Sequence, residues 1–109
     1  AHFLAEILGL EVGAPTGVFL PVTTANGVTL DFLTIDADIP MQHYAFLVSE
    51  EEFDEALARL VEARIPIQAD PHGNHPRRIN RNDGGRGVYF SDPAGHGLEI
   101  LTRPYGSGA

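Results

Sequence analysis

The chain has 109 residues, 43% of them hydrophobic and 20% charged, which suits one domain with its own core. It contains neither cysteine nor lysine, so disulfides, thiolate nucleophiles, cysteine-based metal sites, Schiff-base chemistry and a P-loop lysine are excluded. A formal net charge of -8 opposes binding to phosphate backbones, and no apolar run approaches the roughly 20 residues that span a bilayer, so nucleic acid and membrane are not expected partners.

In chain order, residues 2–10 (HFLAEILGL) predict a helix with Phe3, Leu4, Ile7 and Leu8 on one face and Gly9 as its stop signal. No capping residue precedes it and the chain opens on Ala1, so the expectation is that residues are missing upstream. Two strands follow, 17–23 (GVFLPVT) and 28–35 (VTLDFLTI), joined by a turn at Asn26-Gly27. Pro21 marks the first of them as an edge or bulged strand. Residues 36–41 read as a linker.

The second half opens on a strand, 42–48 (QHYAFLV). Ser49 and Glu52 then form a capping box, and Glu50, Glu51, Asp54 and Glu55 crowd the first turns, where the helix dipole favours negative charge. Phe53, Ala56, Leu57, Leu60 and Val61 make the expected buried stripe, and Pro66 bars continuation. A short strand is expected near 66–69, and 70–86 reads as a long polar loop. Strands at 87–91 and 97–103 close the chain around a turn over residues 92–97. The halves match internally: VFL, a turn and LDFL in one, VYF, a turn and LEIL in the other. The simplest account is a duplicated strand–helix–three-strand unit, with the first strand of the first copy expected to lie upstream of this sequence.

Strand alternation sorts the chemistry. Tyr44, Phe46 and Val48 oppose His43, Ala45 and Leu47; Leu98 and Ile100 oppose Glu99 and Leu101; Leu30 and Phe32 oppose Asp31 and Leu33. The apolar faces are packing surfaces for helices. The opposite faces each carry one ligand-type group: His43, Glu99 and Asp31. If these faces line one concave sheet, an imidazole and carboxylates converge as ligands for a divalent ion such as iron, manganese, nickel or zinc. The bland alternative is that each faces solvent or a local partner.

HYAFLV before a capped helix, followed by GVYFSDPAGHGLEILTRP at 87–104, resembles the glyoxalase/bleomycin resistance/extradiol dioxygenase (vicinal oxygen chelate) superfamily over essentially the whole chain. The resemblance implies an α+β fold in which paired βαβββ modules, here about 1–38 and 39–104 of a single domain, form a half-open mixed-sheet barrel. It implies metal ligands at His43 and Glu99, with Asp31 at a position where glyoxalase I-like members carry Glu. It leaves the first-strand ligand unassigned. It also implies a small-molecule enzyme, lyase- or isomerase-like before dioxygenase, with Glu99 or Asp31 as base beside the metal. The alternative is a metal-free protein that sequesters a drug or metabolite, as bleomycin-resistance members do. Members usually form homodimers, and closed two-fold dimers are the commonest oligomers.

Four of the seven arginines, Arg77, Arg78, Arg81 and Arg86, fall within ten residues. Arg81 and Arg86, with Tyr89 beyond them, are candidates for binding an anionic substrate, because guanidinium forks grip carboxylates. Equally, the arginines can pair with the acidic helix, and Tyr89 can pack beneath it. His96 is expected to bond the backbone of its turn, and His72 and His75 to be loop residues. With no signal peptide visible, a cytoplasmic location is expected.

Overall fold

The computed structural model describes residues 1–107. The chain divides into two compact units, one covering Ala1–Pro40 and one beginning at Met41.

The first unit holds helix α1 (His2–Leu8) and strands β1 (Phe19–Thr23) and β2 (Thr29–Leu33). Helix α1 stops where Gly9 adopts φ 70, and it buries Leu4, Ala5 and Ile7, while Phe3 and Leu8 are half-buried. The strands pair antiparallel from Phe19 opposite Leu33 to Thr23 opposite Thr29. Their turn is closed by Thr24 N–H donating to Val28 O, with Gly27 at φ 89. Pro21 sits opposite Asp31, and its carbonyl accepts from Gly13 N–H. Asp31 is exposed and its strand neighbours Leu30 and Phe32 are half-buried, as the alternation requires.

The second unit is built on a three-stranded sheet in the order β3-β5-β4, with β3 His43–Leu47, β4 Gly87–Ser91 and β5 Gly97–Leu101. β5 is central, parallel to β3 and antiparallel to β4. Neither this sheet nor the hairpin closes into a barrel. The expected strand at 66–69 is reduced to isolated bridges: Gln68 exchanges backbone hydrogen bonds with Tyr89 and bridges Pro76. Pro66 and the folding of the loop back onto 67–69 leave no room for a longer ladder.

Helix α2 (Glu50–Glu62) starts on the capping box seen in the sequence: Ser49 Oγ accepts from Glu52 N–H, and Glu52 Oε1 accepts from Ser49 N–H at 2.9 Å. Phe53, Ala56 and Leu60 are buried with Val88, Phe90, Leu98 and Ile100, the apolar face of the sheet. Val61 instead is 61% exposed. At about 100° per residue it lies well off the line through Phe53, Ala56 and Leu60.

Arg86, just before β4, ties this arrangement together. Its Nε donates to Glu50 Oε1 at 2.8 Å, its Nη1 lies 2.7 Å from Asp54 Oδ1, and its guanidinium covers the Phe53 ring at 4.5 Å. Hydrogen bonds from Thr102 and Arg86 hold the Glu50 carboxyl below its ordinary value of 4.5. A lowered carboxyl stabilises the fold above its unfolded-state value, and that contribution is lost as pH falls through the folded one. The acid limb of a pH–stability curve is therefore expected to flatten in Arg86→Leu, as read by thermal melts between pH 3 and 7 on the order of the ordinary carboxyl range. Ile100→Ala is expected to cost about 2–5 kcal/mol in urea unfolding, because it opens a cavity in a fully buried layer.

Candidate metal centre

The turn before β5 sets the geometry. Asp92 Oδ1 accepts from His96 N–H at 2.8 Å, and Gly95 takes φ 90 to close the turn. The His96 ring then reaches the start of β3, where Nδ1 accepts from Gln42 N–H at 3.0 Å, while Gly97 N–H donates to Gln42 O at 2.9 Å. These two bonds pin β3 against β5. In the resulting register Ala45 and Tyr89 flank Glu99 on its two sides, and His43 lies opposite Gly97. His43, Glu99 and Tyr89 thus share a face, and Tyr44, Leu98 and Phe90 share the other.

Glu99 is 2% exposed, the one polar residue fully buried among those described. Its Oε1 lies 3.1 Å from His43 Nε2. The same oxygen accepts from the hydroxyl of Tyr105. Tyr105 Oη in turn lies 3.3 Å from Tyr89 Oη. The Tyr89 ring stacks beside the His43 ring, centroids 6.0 Å apart and planes inclined by 23°. Burial pushes both phenols up, chiefly by desolvation, and the bond to Glu99 raises Tyr105 further. Both stay neutral donors across the physiological range. The His43 side chain is 48% exposed, so one edge of the cluster meets solvent.

The donors suit a divalent ion in chemistry and spacing. Two ligand atoms each about 2.0–2.2 Å from one ion and at a right angle stand about 3 Å apart, close to the His43–Glu99 separation. Among the described residues no group of three His, Asp or Glu side chains is gathered to hold a metal, so these two stand as a pair. Asp31 lies in the first unit on the exposed face of the hairpin.

The other candidates fall elsewhere. Arg86 has its guanidinium committed to Glu50, Asp54 and Phe53, the acidic-helix pairing that the charge pattern also allowed. Arg81 is exposed, immediately before a 3₁₀ turn at Asn82–Gly84. His72 and His75 are exposed in the loop. Tyr105 was not singled out from sequence. The only hint is Pro104-Tyr105-Gly106, a turn signal just past the last strand, which turns an aromatic back toward the face it has left.

Fold and site together define a small α+β protein of the glyoxalase type. The chain belongs to the vicinal oxygen chelate superfamily of glyoxalases, bleomycin resistance proteins and dioxygenases. No family model matches it. The solved structure of oxidase ChaP-H2 is 58% identical, with a TM-score of 0.95, and the match covers 99% of this chain and 85% of that one. A glyoxalase/dioxygenase from Nostoc punctiforme is 28% identical with a TM-score of 0.67, covering 94% and 80%. Metallothiol transferase FosB of Lysinibacillus sphaericus (strain C3-41) is 33% identical over 84 residues, and glutathione transferase FosA of Serratia marcescens 33% identical over 105. The matches take in 71% and 90% of this chain but only 54% of FosB and 67% of FosA. Among the described residues no helix is long and apolar enough to cross a membrane.

A buried carboxylate that serves a ligand or a reaction is a burden on folding. Glu99→Leu is expected to melt at or above the wild-type temperature while destroying the cluster. A loss beyond about 2 kcal/mol in urea unfolding would instead assign the carboxylate to the fold.

Proposed function

We propose that this protein is a metal-dependent enzyme of the oxidase type that acts on a small organic molecule, with His43 and Glu99 as two of the ion's ligands. The observation that carries the reading is the buried Glu99 oxygen held 3.1 Å from an imidazole nitrogen on a face that is open at its edge. Oxidase chemistry is favoured over the lyase or isomerase chemistry of other members because the 58% identical relative is an oxidase. A bound iron or manganese ion would supply redox and Lewis-acid capacity, and nickel or zinc only the latter.

The protein's own residues divide the remaining work. His43 would offer an Nε2 lone pair, and Glu99 would offset part of the ion's charge from within a shielded strand. The flat Tyr89 ring beside His43 gives a planar substrate a wall to rest on. Of the two candidate arginines Arg81, exposed on the loop, is the one left to meet an anionic substrate, since Arg86 is occupied. Tyr44 and Leu47, on opposite faces of the edge strand β3, are 43% and 48% exposed and Met41 before it 68%, so this edge carries apolar surface for a second copy in a two-fold dimer.

Elemental analysis of the purified protein tests the reading. About one divalent ion per chain is expected in wild type, and His43→Ala is expected to lose it along with substrate-dependent oxygen consumption. Metal-free wild type that still binds a small ligand would replace this reading with sequestration. Mass in solution, by sedimentation, checks the dimer.

A further inference from the structure

We propose that Tyr105, relayed by Tyr89, is the positioning residue that sets the Glu99 carboxylate for metal capture. This rests on the reading of His43 and Glu99 as ligands and adds a role outside that pair.

The argument begins with proton counting. A phenol has one hydrogen, and a carboxylate only accepts. Tyr105 donates that hydrogen to Glu99 Oε1. Its own oxygen is then left as an acceptor, so Tyr89, 3.3 Å away, is the donor of the second bond. The direction of the relay runs from Tyr89 to Tyr105 to Glu99. Tyr89 faces Glu99 directly across the β4–β5 ladder, so the relay starts from a strand rather than a loose tail.

Tyr105 itself stands on a braced turn. Ser107 Oγ donates to Pro104 O at 2.6 Å, Arg103 Nη2 to Ser107 O at 3.1 Å, and Gly106 N–H to Asp83 Oδ1 at 3.1 Å. Asp83 reaches this bond from a left-handed conformation, φ 57 and ψ 24, which Asp tolerates better than most residues. Gly85 allows the approach: a Cβ there would stand 2.5 Å from both Arg103 Cγ and Thr102 Oγ1. Three separate features therefore hold a ring that is 60% exposed with its hydroxyl on a buried carboxylate. A surface tyrosine has no need of such bracing for packing. A carboxylate that must present one oxygen beside His43 does need its rotation fixed, and outer partners of this kind commonly govern affinity.

The test uses the full-length protein titrated with Co²⁺ alone, followed by its visible ligand-field absorption. Tyr105→Phe, which keeps the ring, is expected to raise the Co²⁺ dissociation constant by about 10–100-fold, with the band positions of the saturated protein unchanged. Tyr89→Phe, which removes only the relay's first donor, is expected to weaken binding by a smaller factor in the same direction. A merely structural role would lower the melting temperature of the metal-free protein and leave the affinity of the folded fraction alone. Unchanged or tighter Co²⁺ binding in Tyr105→Phe overturns the proposal while the ligand reading stands. Wild type that binds no Co²⁺ overturns both.

Discussion

A carboxylate sealed in the central strand of a sheet is the constraint around which the second unit is arranged. Removing such a group from water costs several kcal/mol unless donors or a cation replace the solvent. Here the replacements are an imidazole from the parallel neighbour β3 and a phenol from the turn after β5, both on a single oxygen. Each arrives by a different route. His43 depends on the pairing of β3 with β5, and Tyr105 depends on the turn braced by Asp83 and made possible by Gly85.

The register of β3 is the most consequential of these. A slip of one residue would exchange every side chain between faces and set Tyr44 where His43 stands. The ladder alone resists this weakly on an edge strand. His96 adds a side-chain bond to Gln42 N–H at the strand's first step, which fixes where pairing begins. A histidine outside the His43–Glu99 pair thus decides which side chain reaches Glu99. On the other face, Val88, Phe90, Leu98 and Ile100 are buried with the apolar stripe of α2, so slippage would also expose core.

Charge is used locally rather than globally. Near α2 the acidic charge is met by Arg86 at the helix start and by Arg59, which pairs with Glu55 on the helix itself. Arg86 gathers Glu50 and Asp54 at the helix start, and its own strand leads two residues on to Val88 and three to Tyr89. The guanidinium's value lies in its fixed fork and its fit over Phe53, which a lysine would not reproduce. The remaining loop arginines stay at the surface, where Arg77, Arg78 and His75 border an open groove.

Much of this was legible in the residues. Helix starts and stops, the two hairpin-like pairs and the facing of His43, Asp31 and Glu99 follow from caps, turn residues and a period of two, all of them local properties of the backbone. The motif at 87–104 carried the superfamily. Local rules also had local failures: Val61 lies off the buried stripe, and 66–69 bridges without becoming a strand, because neighbours rather than propensity set those outcomes. Only the tertiary structure chose between the two fates open to Arg86, brought His43 Nε2 to 3.1 Å from Glu99, and turned Tyr105 back onto the same oxygen. Those contacts join residues up to fifty-six positions apart, a count set by His43 and Glu99. Strand alternation states which way a side chain points but not what another segment will bring to meet it.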